Sequence, residues 1–237
     1  LDKHMPVVST SATNSNLPVQ VITIDGPSGA GKGTLSQLLA KRLGYHLLDS
    51  GALYRLVALA AHQQGIDLAD EQKVSAIAAA LDVRFDTTGQ STQTLLAGND
   101  VTHAIRSEIV GMNASVVAAY PGVRSALFLR QRAFRQPPGL VADGRDMGTH
   151  VFTDANVKIF LTASAQARAE RRYQQLLAKG EPVDMAMLVK DIEARDERDS
   201  TRAISPLRPA ADAYVIDSTE LDIEGVLNAM LKLVSAI

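Results

Sequence analysis

An α/β domain, with a parallel sheet between two helical layers, is the fold class the sequence predicts, and three observations predict it. Short β-branched or leucine-rich runs recur at 19–25, 45–49, 139–143, 157–161 and 213–217. Each is too short for a helix and apolar on consecutive positions, as a strand buried on both faces must be. Amphipathic segments with helical spacing lie among them, at 32–43, 51–64, 104–119, 122–135, 164–179, 184–199 and 222–236. Strand–helix alternation requires right-handed crossovers, which set the strands parallel and cover both faces of the sheet. Finally, Asp49, Asp143 and Asp217 close three of the later runs. Sheets of this kind bind ligands beyond the carboxyl ends of their strands, where such residues stand.

The first element, 19–25, is the β-branched run VQVITID, and 32–43 follows it after a glycine-dense connection. The run YHLLD at 45–49 leads into DSG, which opens the leucine- and alanine-rich segment 51–64. Between about 82 and 102 the character changes to two short alternating runs and two turn-rich clusters, the pattern of a small β hairpin. That stretch reads as an inserted lobe outside the main sheet, and the leucine- and alanine-rich pattern at 74–81 as core packing. The runs at 139–143 and 157–161 resume the sheet, and two helices then meet at KGEPVD, 179–184, before the last strand and helix. Residues 1–18, rich in Ser, Thr and Asn, lack the apolar centre of a signal peptide and read as a disordered tail.

Length and composition narrow the function. A chain of 237 residues with 46% hydrophobic and 21% charged residues suits one well-buried domain with an insertion. A net charge of -2 and 4% aromatics argue against a nucleic-acid or membrane surface. With no cysteine there is neither a disulfide framework nor a thiolate nucleophile, which suits a reducing, cytoplasmic compartment. No apolar run approaches the ~18 residues of a membrane span. The cations are 16 Arg against 8 Lys, and guanidinium is the better fork for planar oxyanions.

The connection after the first strand concentrates the chemistry. Gly26-Pro27-Ser28-Gly29-Ala30-Gly31-Lys32 fits G-x-x-x-x-G-K between a strand and a helix, the context a phosphate-binding P-loop requires. Its glycines let successive N–H groups turn inward, the helix adds its positive end, and Lys32 reaches the terminal phosphates. A dinucleotide-binding reading starting at Gly29 puts Thr34 at the third glycine and leaves Lys32 unexplained. Gly33 stands where the motif usually places the Ser or Thr that ligates Mg²⁺. Either Thr34 takes that role, or the metal is held mostly through water and phosphates.

GPSGAGKGT, together with LLDSGALYR (47–55), ADGRDMGT (142–149) and RDERDSTR (195–202), resembles the nucleoside monophosphate kinase family, and most of all the bacterial cytidylate kinases. The resemblance runs from about residue 19 to the C-terminus. It implies a P-loop kinase fold with a central five-stranded parallel sheet, a nucleotide-binding insertion at about 65–118 and a helical lid at about 168–200. It further implies phosphoryl transfer from ATP, with Mg²⁺, to CMP or dCMP by a cytoplasmic monomer. Residues 26 to 34 and Arg171 would then bind ATP. Ser50, Arg124 and Asp146 would contact the base, and Arg55, Arg145 and Arg202 the acceptor phosphate. Arg195 and Asp199 would meet the ribose, and Arg106 would line the same pocket. Lys32, Arg55, Arg145 and Arg202 would carry catalysis.

Elementary chemistry agrees with parts of that assignment. Spacings of four and three put Arg195, Asp199 and Arg202 on one helical face, as a clamp for phosphate and hydroxyl oxygens or as a solvated salt-bridge face. The carboxylate of Asp146 accepts from the amino group of cytosine and repels the carbonyl of uracil; a helix cap or an Arg145 partner are its plainer roles. Asp143 suits a metal, Arg145 or a cap equally. Arg168, Arg171 and Arg172 share a helical face that is either a lid's anion contact or ordinary surface. The rival functions are a kinase for UMP or another monophosphate and a regulatory NTPase switch; the chain lacks the N/T-K-x-D motif of guanine-specific switches.

Overall fold

The computed structural model describes residues 18–86 and 93–236. The tail read at 1–18 therefore lies, but for Pro18, outside the described residues, as does the 87–92 part of the expected hairpin.

Five strands form the main sheet: β1 (Gln20–Asp25), β2 (His46–Asp49), β6 (Gly139–Gly144), β7 (Val157–Thr162) and β8 (Tyr214–Asp217). Their order is β2-β6-β1-β7-β8 and every pairing is parallel. The predicted runs thus coincide with the strands to within a residue. Register places Asp25 beside Gly144 and Asp49 beside Asp143, so the polar ends of three strands meet at one edge.

Alternation along the strands divides the core in two. Val21, Leu140 and Ala142 face one layer, with α2 (Ser50–Gln63), α4 (Glu108–Val117) and α5 (Pro121–Arg132). Ile22, Ile24 and Val141 face the other, with α1 (Lys32–Leu43) and α8 (Ile223–Val234). A strand exposes successive side chains to opposite faces, so a continuous apolar run supplies both layers.

The insertion holds a separate antiparallel sheet of three strands, β3 (Val83–Asp86), β4 (Gln93–Leu96) and β5 (Asn99–Asp100), one strand more than the hairpin expected. Leu96, Val101 and Ile105 join the α2 side of the core, which fastens the insertion to the domain. The helix expected at 104–119 is divided. A 3₁₀ turn spans Ala104–Arg106, Ser107 is extended, and its Oγ caps α4 by accepting from Val110 N at 3.4 Å. The segment at 74–81 belongs largely to a short helix, α3 (Glu71–Ala79), that the pattern did not announce. Only Val74 and Ala78 of α3 are buried, too narrow a stripe to register as a helical period.

Helices α6 (Ala165–Leu177) and α7 (Met185–Thr201) pack together and flank an exposed connection in which Gly180 has φ +74°. A π-helical turn, Met147–Val151, follows β6.

Candidate active site

The P-loop is shaped by two glycines in particular. Gly26 has φ +150°, and a Cβ there would lie 1.9 Å from the Leu161 carbonyl oxygen of β7. Gly31, at φ +93°, caps α1 in the left-handed region without any side-chain acceptor. The first N–H groups of α1 therefore have no partner within the chain's own cap, the arrangement in which a helix start receives an anion.

Lys32 is buried, and its Nζ donates to the Pro27 carbonyl at 2.8 Å. Burial, and then the nearby Arg145 cation, pull its pKa down to about 7. Asp143 is raised to about 6 by burial, against the opposing pull of Lys32. Asp25 is raised to about 7 by burial, although it accepts from the N–H groups of Met147 and Gly148 at 2.8 Å each. Three charges clustered at the strand ends thus sit near neutrality. A polyphosphate beside them would restore the lysine's positive charge.

Lys32 and Asp143 open onto a cavity of about 970 Å³. Ser28 to Leu35 line it together with Ser218 and the 221–224 segment at the start of α8. Ser50, Tyr54, Arg124, Asp146 and Arg202 line it too. The arginines Arg55, Arg145 and Arg195 join the two groups: all three feel one another's charge, and Lys32 feels Arg145 and Arg195. Burial lowers the pKa of all of Arg55, Arg195 and Arg202, Arg195 to about 10. Against this positive charge stands the buried Asp199, which accepts from Arg145 Nε at 2.9 Å. Arg195 Nε and Arg202 Nη2 are buried donors without any protein partner. Half-buried guanidinium groups in mutual repulsion, with donors to spare, are built for a multiply charged anion.

The far wall is organised differently. Asp146 is 2% exposed and pairs with Arg124, itself 4% exposed, so it is neither a cap nor a partner of Arg145. Arg124 Nη1 also donates to the Ala118 carbonyl at 3.2 Å, its guanidinium lies 5.9 Å from the Tyr54 ring centre, and its Nε has no partner. Ser50 is held at the start of α2, where Asp49 Oδ1 caps the helix by accepting from Ala52 N at 3.0 Å. Its hydroxyl donates to Gln131 Oε1 at 2.7 Å. Burial pushes the Tyr54 phenol up to about 12. The wall therefore offers a carboxylate, a hydroxyl oxygen and a guanidinium N–H without a protein partner along one side of the cavity.

Three expectations need correction. Helix α7 ends at Thr201, and Arg202 has extended backbone, so it does not share the helical face of Arg195 and Asp199. It enters the cavity because the chain turns there, with its Nε donating to the Ser205 carbonyl at 2.6 Å. Arg106 is exposed and lines an adjoining cavity of about 1220 Å³ rather than the first. The two cavities share Asp49, Arg55, Arg195 and part of the P-loop. Arg168, grouped with Arg171 and Arg172 by spacing, is committed within the protein. It forks onto Asp196 at 3.0 and 2.5 Å and donates to the Ser28 and Ala163 carbonyls. Arg171 holds Ser218 through the Ser218 hydroxyl and carbonyl at the cavity wall, and Arg172 pairs with Glu108.

Thr34 is exposed on the cavity wall, and the Cβ position of Gly33 lies 3.8 Å from Asp143 Oδ2. Among the described residues no group of three or more His, Cys, Asp or Glu could hold a metal by itself. Asp25, Tyr54, Gln131 and Ser218 went unremarked in the sequence. Asp25, directly before Gly26 and closing the first strand, was the one with a visible signal. Tyr54 lies in the apolar α2, Gln131 stands between two arginines in the last turn of α5, and Ser218 lies in a loop, so no local pattern singles them out.

A P-loop that aims its helix start at an arginine-lined cleft, with a separate polar slot on the opposite wall, defines a nucleotide-dependent phosphotransferase. The model of the cytidylate kinase family matches residues 22–236, and the chain belongs to that family. It is 62% identical to a cytidylate kinase of Pseudomonas savastanoi pv. phaseolicola over 214 residues, covering 90% of this chain and 93% of the relative. A cytidylate kinase of Pseudomonas putida is 59% identical over 217 residues, 91% and 94% of the two chains.

Proposed function

We propose that the chain transfers the terminal phosphoryl group of ATP to CMP, and to dCMP, giving ADP and the corresponding diphosphate. The observation that carries this reading is the buried Asp146–Arg124 pair beside Ser50, set across the arginine cluster from the P-loop. A carboxylate and a hydroxyl oxygen accept from a 4-amino group, whereas the 4-oxo group of uracil would face them with lone pairs alone.

In this reading residues 26 to 34 cradle the triphosphate, Lys32 neutralises its end, and Arg171 with the Ser218 segment supports the donor nucleotide. Arg55, Arg145 and Arg202 hold the acceptor phosphate, and Arg195 with Asp199 meets the ribose. Arg106 approaches from the adjoining cavity. An acceptor phosphate oxygen attacks the terminal phosphorus in line as the bond to the bridging oxygen breaks. The attacking oxygen is already anionic near neutral pH, so no general base is required, and catalysis is positioning and charge neutralisation. The cluster of cations overcomes the repulsion between two polyanions.

Family membership implies a divalent cation, which we take to be Mg²⁺. The donors fit an ion that arrives on the nucleotide: Thr34 is open to the cavity, Asp143 stands behind Gly33, and among the described residues no protein cage competes for it. Such an ion supplies charge neutralisation at the phosphates, and Mg²⁺ keeps much of its water in sites of this type. We further propose that the insertion at about 65–118 and the α6–α7 pair, about 168–200, close over the nucleotides, because water is a competing acceptor that must be kept out. The working unit is a monomer of the cytoplasm, serving pyrimidine nucleotide metabolism. No helix among the described residues is long and apolar enough to cross a membrane.

The test is ADP release with ATP and Mg²⁺ across CMP, dCMP, UMP, AMP, GMP and no acceptor. Strong dependence on CMP and dCMP is expected. Equal release without acceptor would establish an NTPase instead, and a preference for UMP would overturn the role of Asp146.

A further inference from the structure

The direction of one buried hydrogen bond bears on how the acceptor base is chosen. Ser50 and Gln131 are 2% and 1% exposed, and the Ser50 hydroxyl donates to Gln131 Oε1 at 2.7 Å. A serine hydroxyl has one proton and two lone pairs. With its proton directed at Gln131, the Ser50 oxygen that lines the cavity can only accept. Turning the hydroxyl proton toward a ligand would strand Oε1, a buried acceptor with no other donor among the described residues, and buried acceptors are costly to strand.

Resting on the reading above that CMP is the acceptor, we propose that Gln131 is a specificity-determining positioning residue: it holds the Ser50 hydroxyl as a pure acceptor and so makes it select a 4-amino over a 4-oxo pyrimidine. A cytosine 4-amino group has two N–H donors, enough for both the Asp146 carboxylate and Ser50. The uracil 4-oxo group has none, and it meets two groups that turn only lone pairs toward it, the Asp146 carboxylate and a Ser50 hydroxyl whose proton is directed at Gln131. Gln131 touches no ligand in this arrangement, since Ser50 and Tyr54, not Gln131, line the cavity.

The experiment compares kcat/KM for CMP and for UMP in the full chain and three variants, with thermal melting as the check on folding. In Gln131→Met the Ser50 proton is released to donate to a 4-oxo group. The CMP-over-UMP ratio should fall on the order of tenfold, the worth of one hydrogen bond. In Ser50→Ala/Gln131→Met the ratio should equal that of Ser50→Ala alone, because Gln131 acts only through the hydroxyl. An unchanged ratio in Gln131→Met, or an equal further fall in the Ser50→Ala background, overturns the proposal. Ser50→Ala tests it even where Gln131→Met does not fold: CMP use should drop about tenfold while UMP use does not drop. Equal losses for both would mean that the hydroxyl also donates, which overturns it. These failures leave the CMP reading standing, whereas an unaltered chain without preference for CMP overturns both.

Discussion

Removing the carboxylate of Asp146 should damage stability and specificity together, and the two effects can be separated. In Asp146→Ala the Arg124 guanidinium, 4% exposed, loses its only ion-pair partner among the described residues. Breaking a buried pair from one side costs about 3–5 kcal/mol, because a charge is left uncompensated. Two features decide where in that range the cost falls. Arg124 keeps its bond to the Ala118 carbonyl and its place over Tyr54, which lowers it. Arg202, which is repelled by Arg124, then loses one of the two carboxylates, Asp146 and Asp199, that offset that repulsion, which raises it. We expect about 4 kcal/mol, or roughly 8–16 °C in melting temperature for a chain of this size. CMP-dependent ADP release should fall about a hundredfold with ATP affinity changed less than about twofold, as expected for loss of a charged acceptor at the base alone. In Asp146→Ala/Arg124→Met both charges are gone, and stability should return to within about 1–2 kcal/mol of the original while CMP use stays lost. The assays are urea unfolding, coupled ADP release and calorimetric ATP titration. A double variant no more stable than Asp146→Ala would refute the argument from the uncompensated charge, and equal losses for CMP and ATP would refute the base contact.

Other outcomes follow from the same geometry. Lys32 has its folded pKa depressed to about 7, so without ligand it is charged only below that pH, whereas bound phosphates raise the value. ATP binding at pH 8 should therefore take up a proton, visible as calorimetric heats that vary with buffer ionisation, and affinity should decline as pH rises above about 7. No uptake, or the same uptake in Lys32→Ala, would remove the lysine from this role. Lys32→Ala should lower turnover about 10²–10³-fold with KM for CMP little changed, as for loss of a charge-stabilising donor. Gly26→Ala places a Cβ 1.9 Å from the Leu161 carbonyl and should cost more than about 4 kcal/mol or abolish soluble expression, whereas Gly44→Ala meets nothing within 4 Å and should cost only about 1 kcal/mol for its left-handed backbone. Comparable urea midpoints for the two would contradict the packing argument. Arg168→Ala should lower the urea midpoint by about 3 kcal/mol equivalent, since it severs the fork to Asp196 and the tie to the P-loop, while Arg171→Ala should act mainly on KM for ATP.

The five main strands, seven of the eight helices among the described residues and the P-loop were legible in the chain, because each is written over contiguous residues. A strand buried on both faces needs an unbroken apolar run, a phosphate loop needs glycine at fixed offsets, and a helix needs a stripe at its own period. Where that local writing is thin, the reading failed: α3 buries only two side chains, and α7 stops one residue short of Arg202 because the backbone turns extended there. Residue types at the site were also largely legible, but their partners were not. Asp146 could cap, bind Arg145 or read a base until the fold set it against Arg124, twenty-two positions away. Spacing put Arg168 beside Arg171 on a face that is either an anion contact or ordinary surface, and only packing showed it spent on Asp196 and on Ser28, 140 positions away. Asp25 meets Met147 across 122 positions, and Ser50 meets Gln131 across 81. Such pairings arise where crossovers bring strand ends and helix starts to one edge of the sheet. A hydrogen bond acts over about 3 Å, so which donors and acceptors meet is decided by that convergence and not by any local pattern.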